Sequence, residues 1–112
     1  MLCEKPLTLS GEQAKNLFAQ AERQNLILFE GIKTAYCPGF RKMLEIARSG
    51  SIGTICYVEA CFTKLESGDS RELTDRIYGG SFTELGSYGL LPIVKLLGNG
   101  FEDVRFQSIK GD

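Results

Sequence analysis

The sequence predicts an α+β fold in which an open sheet carries helices packed on one face. Three observations support this prediction: a short apolar run at 26–31 after an amphipathic helix, and longer alternating runs at 54–63 and 101–110 with a helical segment between them. Short strands separated by a helix are typical of α/β units, whereas two long strands around one helix are typical of an open sheet. We therefore expect α/β units in the first half and the beginning of an open sheet in the second.

The first elements are a strand end, a helix and a short strand. Residues 1–3 resemble the end of a strand, and Ser10 with Gln13 has the form of a capping box. Apolar residues then recur at helical spacing, which predicts a helix over 11–24. The run LILFEG at 26–31 is apolar and closed by a glycine, which favours a buried strand.

A second helix is predicted to begin at Pro38, because a proline in the first turn of a helix lacks only an N–H that has no helical partner. Its predicted buried face comprises Phe40, Met43, Leu44 and Ala47. The segment SGSIG at 49–53 is expected to end it.

The segment TICYVEACFT at 54–63 has the clearest strand pattern. One face is apolar, with Cys56, Val58, Ala60 and Phe62, and the other face mixes apolar and polar residues. A mixed face fits either a contact with another subunit or domain or a solvated surface with a few exposed apolar residues.

Residues 65–80 are polar and flanked by glycines, so we expect a loop with one helical turn at 71–76. A helix is predicted over 81–97, with Gly98 as its C-terminal glycine. Pro92 removes the backbone hydrogen bond to the carbonyl of Tyr88, so we expect this helix to be bent or interrupted there. A strand over 101–110 follows.

The composition argues against several functions. The 112-residue chain is 43% hydrophobic and 24% charged, with a net charge of −1. Because phosphate binding needs a basic excess or stripe, we do not expect nucleic acid as a partner. The sequence has neither an apolar run of transmembrane length nor a signal-peptide pattern, so we expect no membrane association and a cytoplasmic location.

The chain has no histidine and four cysteines, Cys3, Cys37, Cys56 and Cys61. The lack of histidine rules out Ser–His and Cys–His nucleophiles, and the lack of C-x-x-C disfavours a zinc site, so no metal is expected. Cytosolic thiols are usually kept reduced. We therefore expect buried structural thiols rather than disulfides.

The first candidate site is Glu4-Lys5-Pro6, directly after a strand end. Ligands of open α/β sheets bind at the carboxyl ends of strands, so Lys5 is well placed to orient a substrate oxygen. The alternative is a solvated Glu4–Lys5 pair in a turn, which the bare tripeptide favours.

The second candidate is the pair Glu84 and Tyr88, which are four residues apart and share one helix face. A carboxylate and a phenol there could bind two hydroxyls of a polyol, and the phenol could give a proton to a carbonyl oxygen as hydride arrives at the carbon. Unperturbed tyrosine titrates near ~10, so this role needs a nearby cation, which Lys5 could supply. The alternative places Tyr88 on the apolar face and Glu84 at its solvated rim.

The third candidate is the loop 30–38, where Glu30 or Lys33 could line the same crevice. The alternative is a plain strand-to-helix loop. No G-x-G-x-x-G or P-loop motif occurs in the sequence. If the chain handles a dinucleotide, we expect the phosphate-binding part to lie elsewhere.

Four segments, in this order, resemble the glucose–fructose oxidoreductase/inositol dehydrogenase (Gfo/Idh/MocA) family of NAD(P)-dependent oxidoreductases, and most of all its dihydrodiol dehydrogenase-type members. They are CEKPLTLSGEQAKNLFAQAE, LFEGIKTAYCP, RKMLEIARSGSIGTICYVEACF and GGSFTELGSYGLLPIVKLLG. The resemblance implies that 1–31 end a Rossmann dinucleotide-binding domain and that 32–112 form part of a substrate domain. That domain would carry a mostly antiparallel sheet, often the interface of a homo-oligomer, and the chain would be a fragment lacking the glycine-rich part.

The resemblance also implies roles for individual residues. Glu4, Lys5 and Pro6 match the cofactor-binding E-K-P motif, whose lysine lies near the nicotinamide and the substrate. Tyr88 matches the proton donor, so Lys5 and Tyr88 are the expected catalytic residues.

Three further residues are implied to bind substrate. Glu30 and Tyr36 match the family pattern, whereas Glu84 stands where the family usually has an aspartate, one methylene shorter. Ala35 replaces the usual arginine, so a basic contact to the substrate is missing.

The implied reaction is hydride transfer between NAD or NADP and a secondary alcohol or its carbonyl on a sugar, cyclic polyol or dihydrodiol. The isolated chain is expected to be inactive, because it lacks the pyrophosphate site. The alternative is a non-catalytic, self-associating α+β module that binds no cofactor.

Overall fold

The computed structural model describes residues 1–108. That range contains two short strands, four α-helices and one 3₁₀ turn, a combination of elements that is compatible with part of an α+β domain. In chain order they are β1 (Leu2–Cys3), α1 (Gly11–Arg23), β2 (Phe29–Glu30), the 3₁₀ turn (Lys33–Tyr36), α2 (Pro38–Arg48), α3 (Arg71–Thr74) and α4 (Ser81–Leu97).

The strands β1 and β2 pair in parallel, with Leu2 opposite Phe29 and Cys3 opposite Glu30. Parallel strands need a crossover, and α1 provides it. The predicted mostly antiparallel sheet is wrong for residues 1–108, whose one ladder is this parallel pair. The expectation depended on pairing by 54–63 and 101–110, and neither run finds a partner strand within the described range.

Helix α1 confirms the prediction of a capped helix in this region. The Ser10 hydroxyl oxygen accepts a hydrogen bond from the Gln13 backbone N–H at 3.4 Å. The helix ends before Asn25, which adopts a left-handed backbone with φ of 54° and turns the chain toward β2.

Helices α2 and α4 pack against each other, and α2 carries the best-buried side chain of the described residues. This side chain is Leu44, which is 8% exposed and which the helical periodicity had placed on the inner face. The Arg48 guanidinium donates to the Lys95 backbone carbonyl at 2.7 Å and ties the C-terminal ends of the two helices together.

The segment 54–63 is not a strand, in contrast to its alternating pattern. A strand exists only when a neighbouring strand accepts its hydrogen bonds, and among residues 1–108 none does so. The segment instead lies against α4, where an added Cβ on Gly89 would be 3.8 Å from the Ala60 carbonyl oxygen. Of the predicted strand 101–110, residues 101–108 form no ladder and residues 109–110 lie outside the described range.

The cysteines are unpaired thiols, as expected, but the prediction that they are buried is wrong for Cys37, Cys56 and Cys61. Cys56 and Cys61 are exposed because no sheet partner covers the 54–63 segment. Cys37 lies in the exposed link between the 3₁₀ turn and α2, and only Cys3 is half-buried.

The polar segment 65–80 contains the predicted helical turn as α3. Asp75 closes this turn, because its Oδ1 accepts hydrogen bonds from the backbone N–H groups of Tyr78 at 2.9 Å and Ile77 at 2.8 Å. These two bonds, with that of Tyr78 the larger influence, lower the pKa of Asp75 below its ordinary value of 3.8.

The helix near Tyr88 was predicted to be bent or interrupted, and the interruption does not occur, because α4 continues through Pro92. One missing hydrogen bond is tolerated in a 17-residue helix because the turns on either side keep theirs. The helix ends at Gly98, whose φ of 86° requires the conformational freedom of glycine. None of the helices in residues 1–108 has the length and apolar character needed to cross a membrane.

Candidate functional site

Lys5 lies two residues beyond the end of β1 and reaches across to α4. Its ammonium donates to the Glu84 carboxylate at 2.8 Å and to the Glu84 backbone carbonyl at 2.5 Å. The Lys5 side chain is 8% exposed and that of Glu84 is 28% exposed. The structure therefore brings together the E-K-P segment and the helix that carries the second candidate pair.

Tyr88 lies one turn beyond Glu84 in α4, beside the same ammonium. The Lys5 Nζ atom is 5.0 Å from the centroid of the Tyr88 ring, a distance at which the cation and the aromatic ring attract each other. Lys5, Glu84 and Tyr88 thus form one cluster, in which the lysine contacts the tyrosine through the face of its ring.

An open cavity of about 680 Å³ lies next to this cluster. Its wall contains four of the residues to which the family resemblance gave roles, Glu4, Glu30, Tyr36 and Tyr88. The ammonium-bearing side chain of Lys33 also lines it. Neither Lys5 nor Glu84 lines this cavity, and Glu84 borders a separate cavity of about 230 Å³.

The carboxylate of Glu30 has a partner within the protein. Its Oε1 accepts a hydrogen bond from the Leu7 backbone N–H at 2.9 Å. Gly31, the next residue, donates its own N–H to the Cys3 carbonyl at 2.6 Å. The end of β2 is therefore bonded to both sides of the segment that carries Lys5.

Phe62 is a neighbour of the site that the sequence analysis did not identify. Its ring stacks on Tyr88 with the centroids 4.6 Å apart and the planes 15° from parallel. The alternating pattern had assigned Phe62 to the apolar face of a strand. Of that face, Ala60 and Phe62 lie beside α4, whereas Cys56 is exposed. Periodicity indicates which side chains share a face, but it does not indicate which helix that face meets.

The chain is similar to several enzymes of one class, the oxidoreductases. The chain is 34% identical over 106 residues to dTDP-3,4-didehydro-2,6-dideoxy-alpha-D-glucose 3-reductase from Actinomadura kijaniata, an alignment that covers 93% of this chain and 32% of that protein. It is 24% identical over 108 residues to trans-1,2-dihydrobenzene-1,2-diol dehydrogenase from Danio rerio, covering 96% of this chain and 32% of that protein.

A third relative is D-xylose 1-dehydrogenase (NADP(+)) from Hypocrea jecorina, 30% identical over 107 residues, with 87% of this chain and 27% of that protein covered. All three are oxidoreductases of the Gfo/Idh/MocA type, so the family resemblance predicted from the sequence is confirmed. The chain spans 27–32% of the length of these relatives. No family model matches it, and no solved structure does.

Proposed function

We propose that the protein carrying this chain is an oxidoreductase that transfers a hydride between NAD or NADP and a secondary alcohol or its carbonyl. The proposed substrates are sugars, cyclic polyols or dihydrodiols; the names of the relatives contain sugars and a dihydrodiol. One observation carries the proposal: the Lys5 ammonium, the Glu84 carboxylate and the Tyr88 ring converge beside a cavity large enough for a small substrate.

In the proposed reaction Tyr88 is the proton donor and Lys5 is the cation beside it. The phenol lies in the cavity wall and gives its proton to the substrate oxygen as the carbonyl is reduced. Lys5 adds positive potential at the oxygen, where negative charge develops. Because Lys5 is 8% exposed, little solvent screens this charge.

Tyr36 is the proposed substrate contact in the wall of the larger cavity. Glu84, for which the family resemblance implied a substrate contact, lies outside that wall, and we assign it to holding Lys5 through Oε1. Tyr36 lies in the cavity wall and is 62% exposed, so its ring can pack on one face of a substrate ring.

The residues at the β1–β2 end of the cavity fit the nicotinamide end of the cofactor. Leu2 and Phe29 provide apolar walls on which a flat ring can lie, and Glu4 provides an acceptor beside them. NAD or NADP, when bound, supplies or accepts the hydride at its nicotinamide carbon. We assign Glu4, Lys5 and Pro6 to holding this end of the cofactor.

We further propose that residues 1–31 belong to the dinucleotide-binding domain and residues 32–112 to the substrate domain of a homo-oligomer in the cytoplasm. The 54–63 segment has the alternating pattern of a strand but no partner strand within the described range, which supports assembly through strand pairing. Light scattering of the full-length protein tests the assembly: a monomer at micromolar concentration would contradict it.

The activity is tested by assaying the full-length protein with NAD(H) and NADP(H) against a panel of sugars, polyols and diols. Lys5→Ala and Tyr88→Phe should each lower kcat on the order of 100-fold or more, the usual contribution of a positioned proton donor. Tyr57→Phe is a matched control, because Tyr57 is 77% exposed and its hydroxyl bonds to Glu59. Turnover close to wild type in either site variant would remove that residue from the chemistry.

A non-catalytic, self-associating module is the second candidate, and the exposed apolar surface favours it. Leu44, at 8% exposed, is the one apolar residue in residues 1–108 that is buried, and Leu65 and Phe106 are among many that are largely exposed. The two candidates are distinguished by titrating the 112-residue chain and the full-length protein with NADPH while nicotinamide fluorescence is recorded. We expect no saturable binding by this chain and binding by the full-length protein; no binding by either would favour the module.

A further inference from the structure

The segment Glu4-Lys5-Pro6 is held at both ends by the end of strand β2. On its N-terminal side, the Cys3 carbonyl accepts the Gly31 N–H at 2.6 Å. On its C-terminal side, the Leu7 N–H donates to the Glu30 carboxylate at 2.9 Å. Lys5 is therefore the middle residue of a three-residue span between two anchor points on adjacent residues of one strand end.

These two anchors differ in kind. The Cys3–Gly31 bond joins two backbone groups and continues the β1–β2 ladder, so it does not depend on the identity of a side chain. The Leu7 bond depends on the Glu30 side chain, whose sequence separation from Leu7 is 23 residues. Without this carboxylate the Leu7 N–H would lose its partner, and the span would be fixed at one end alone.

We propose that Glu30 is a positioning residue, which holds the Leu7 backbone so that the Lys5 ammonium stays at Glu84 and Tyr88, and not a substrate-binding carboxylate. The proposal rests on the oxidoreductase function proposed above. It replaces the substrate contact that the family resemblance implied for Glu30. An acceptor oxygen is sufficient for the anchoring role, whereas a role in substrate binding through charge would require the carboxylate.

The acceptor and the charge can be separated by substitution. Glu30→Gln keeps an amide oxygen that can accept the Leu7 N–H but removes the charge, whereas Glu30→Ala removes both. In the full-length protein we expect kcat close to wild type for Glu30→Gln. For Glu30→Ala we expect kcat to fall on the order of 10- to 100-fold with little change in KM, because a catalytic group displaced by a fraction of an ångström loses its productive alignment.

Two further measurements show that a fall in kcat is not general unfolding. Glu22→Ala, on the exposed surface of α1, is the matched control carboxylate and should leave kcat unchanged. Amide hydrogen exchange at Leu7 reports the anchor directly, without any need for activity. Leu7 should exchange slowly in the wild type and in Glu30→Gln, and faster in Glu30→Ala.

The proposal is overturned if Glu30→Gln loses as much activity as Glu30→Ala, since the charge would then be needed. It is also overturned if Leu7 exchanges at one rate in all three proteins. Failure of the proposed oxidoreductase function would give a different result. The full-length protein would then have no turnover, or Lys5→Ala and Tyr88→Phe would leave its turnover unchanged. The hydrogen-exchange pattern at Leu7 would still show the anchor in that case.

Discussion

The substitution Glu84→Gln removes the charged partner of Lys5 and keeps the size of the side chain. The Lys5 ammonium would keep the backbone carbonyl of residue 84 and the Tyr88 ring as neighbours, and the new amide oxygen could still accept its hydrogen bond, but no negative charge would face it. Lys5→Met removes the positive charge of the ion pair and keeps a side chain of similar length. The two variants and their combination form a double-mutant cycle that measures how strongly the two charges stabilise the fold through each other.

The burial of the pair sets the expected magnitude. At 2.8 Å and an effective dielectric constant of ~20, the gross attraction of two unit charges is about 6 kcal/mol, and desolvation opposes most of it. An exposed pair contributes about 0.2–1 kcal/mol, and breaking a fully buried pair costs about 3–5 kcal/mol. Glu84 is 28% exposed and Lys5 is 8% exposed, so we expect an intermediate coupling energy of about 1–3 kcal/mol.

The chain offers a matched control for this experiment. Lys42 and Glu45 of α2 form an ion pair with the same separation of 2.8 Å, but their side chains are 62% and 68% exposed. Urea unfolding followed by circular dichroism gives the free energy of unfolding of every variant in both cycles. We expect a coupling of about 0.3–0.5 kcal/mol or less for the exposed pair. Equal coupling in the two cycles would refute the argument that burial strengthens the Lys5–Glu84 pair.

Two further predictions concern stability. Gly79→Ala should lower the free energy of unfolding by about 1–3 kcal/mol, because an added Cβ would clash with the Asp75 carbonyl oxygen, which cannot swing aside. Its control, Gly39→Ala in α2, meets no atom within 4 Å and should be neutral or stabilising by up to about 1 kcal/mol in the same urea assay. The pKa of Asp75 is lowered, chiefly by the Tyr78 N–H, so this group stabilises the fold above its ordinary pKa of 3.8 and loses that effect as the pH falls through the lower folded value. Asp75→Asn should remove this part of the acid sensitivity in a series of unfolding midpoints below pH 5, and an unchanged profile would contradict it.

The helices could be predicted from the sequence because their signals are local. The Ser10–Gln13 cap, Pro38 at a first turn and Gly98 at a helix end each act within a few residues, and the structure confirms all three. The sheet could not be predicted in the same way. The alternation of 54–63 describes which side chains share a face, but a strand also needs a partner for its backbone.

The sequence was enough to identify most residues of the candidate site, but not the contacts that they make. The sequence pointed to Lys5, Glu84 and Tyr88, and the structure brings them together. It did not show that Glu30 is bonded to Leu7 or that Phe62 stacks on Tyr88. Both contacts join segments that are more than 20 residues apart, so no local period or spacing reports them.

The cluster around Lys5 is also part of what holds the chain together. Packing by apolar side chains is sparse in residues 1–108, where Leu44 is the one buried apolar residue, and the β1–β2 ladder contains two residue pairs. The Lys5–Glu84 bond spans 79 residues and links the β1 end to α4 directly. A charged group that is nearly buried must keep its partner, because the unpaired ammonium would be strongly disfavoured. The need of the Lys5 ammonium for its Glu84 partner therefore does two things. It holds Lys5 in place for the proposed chemistry, and it keeps the β1 end and α4 together.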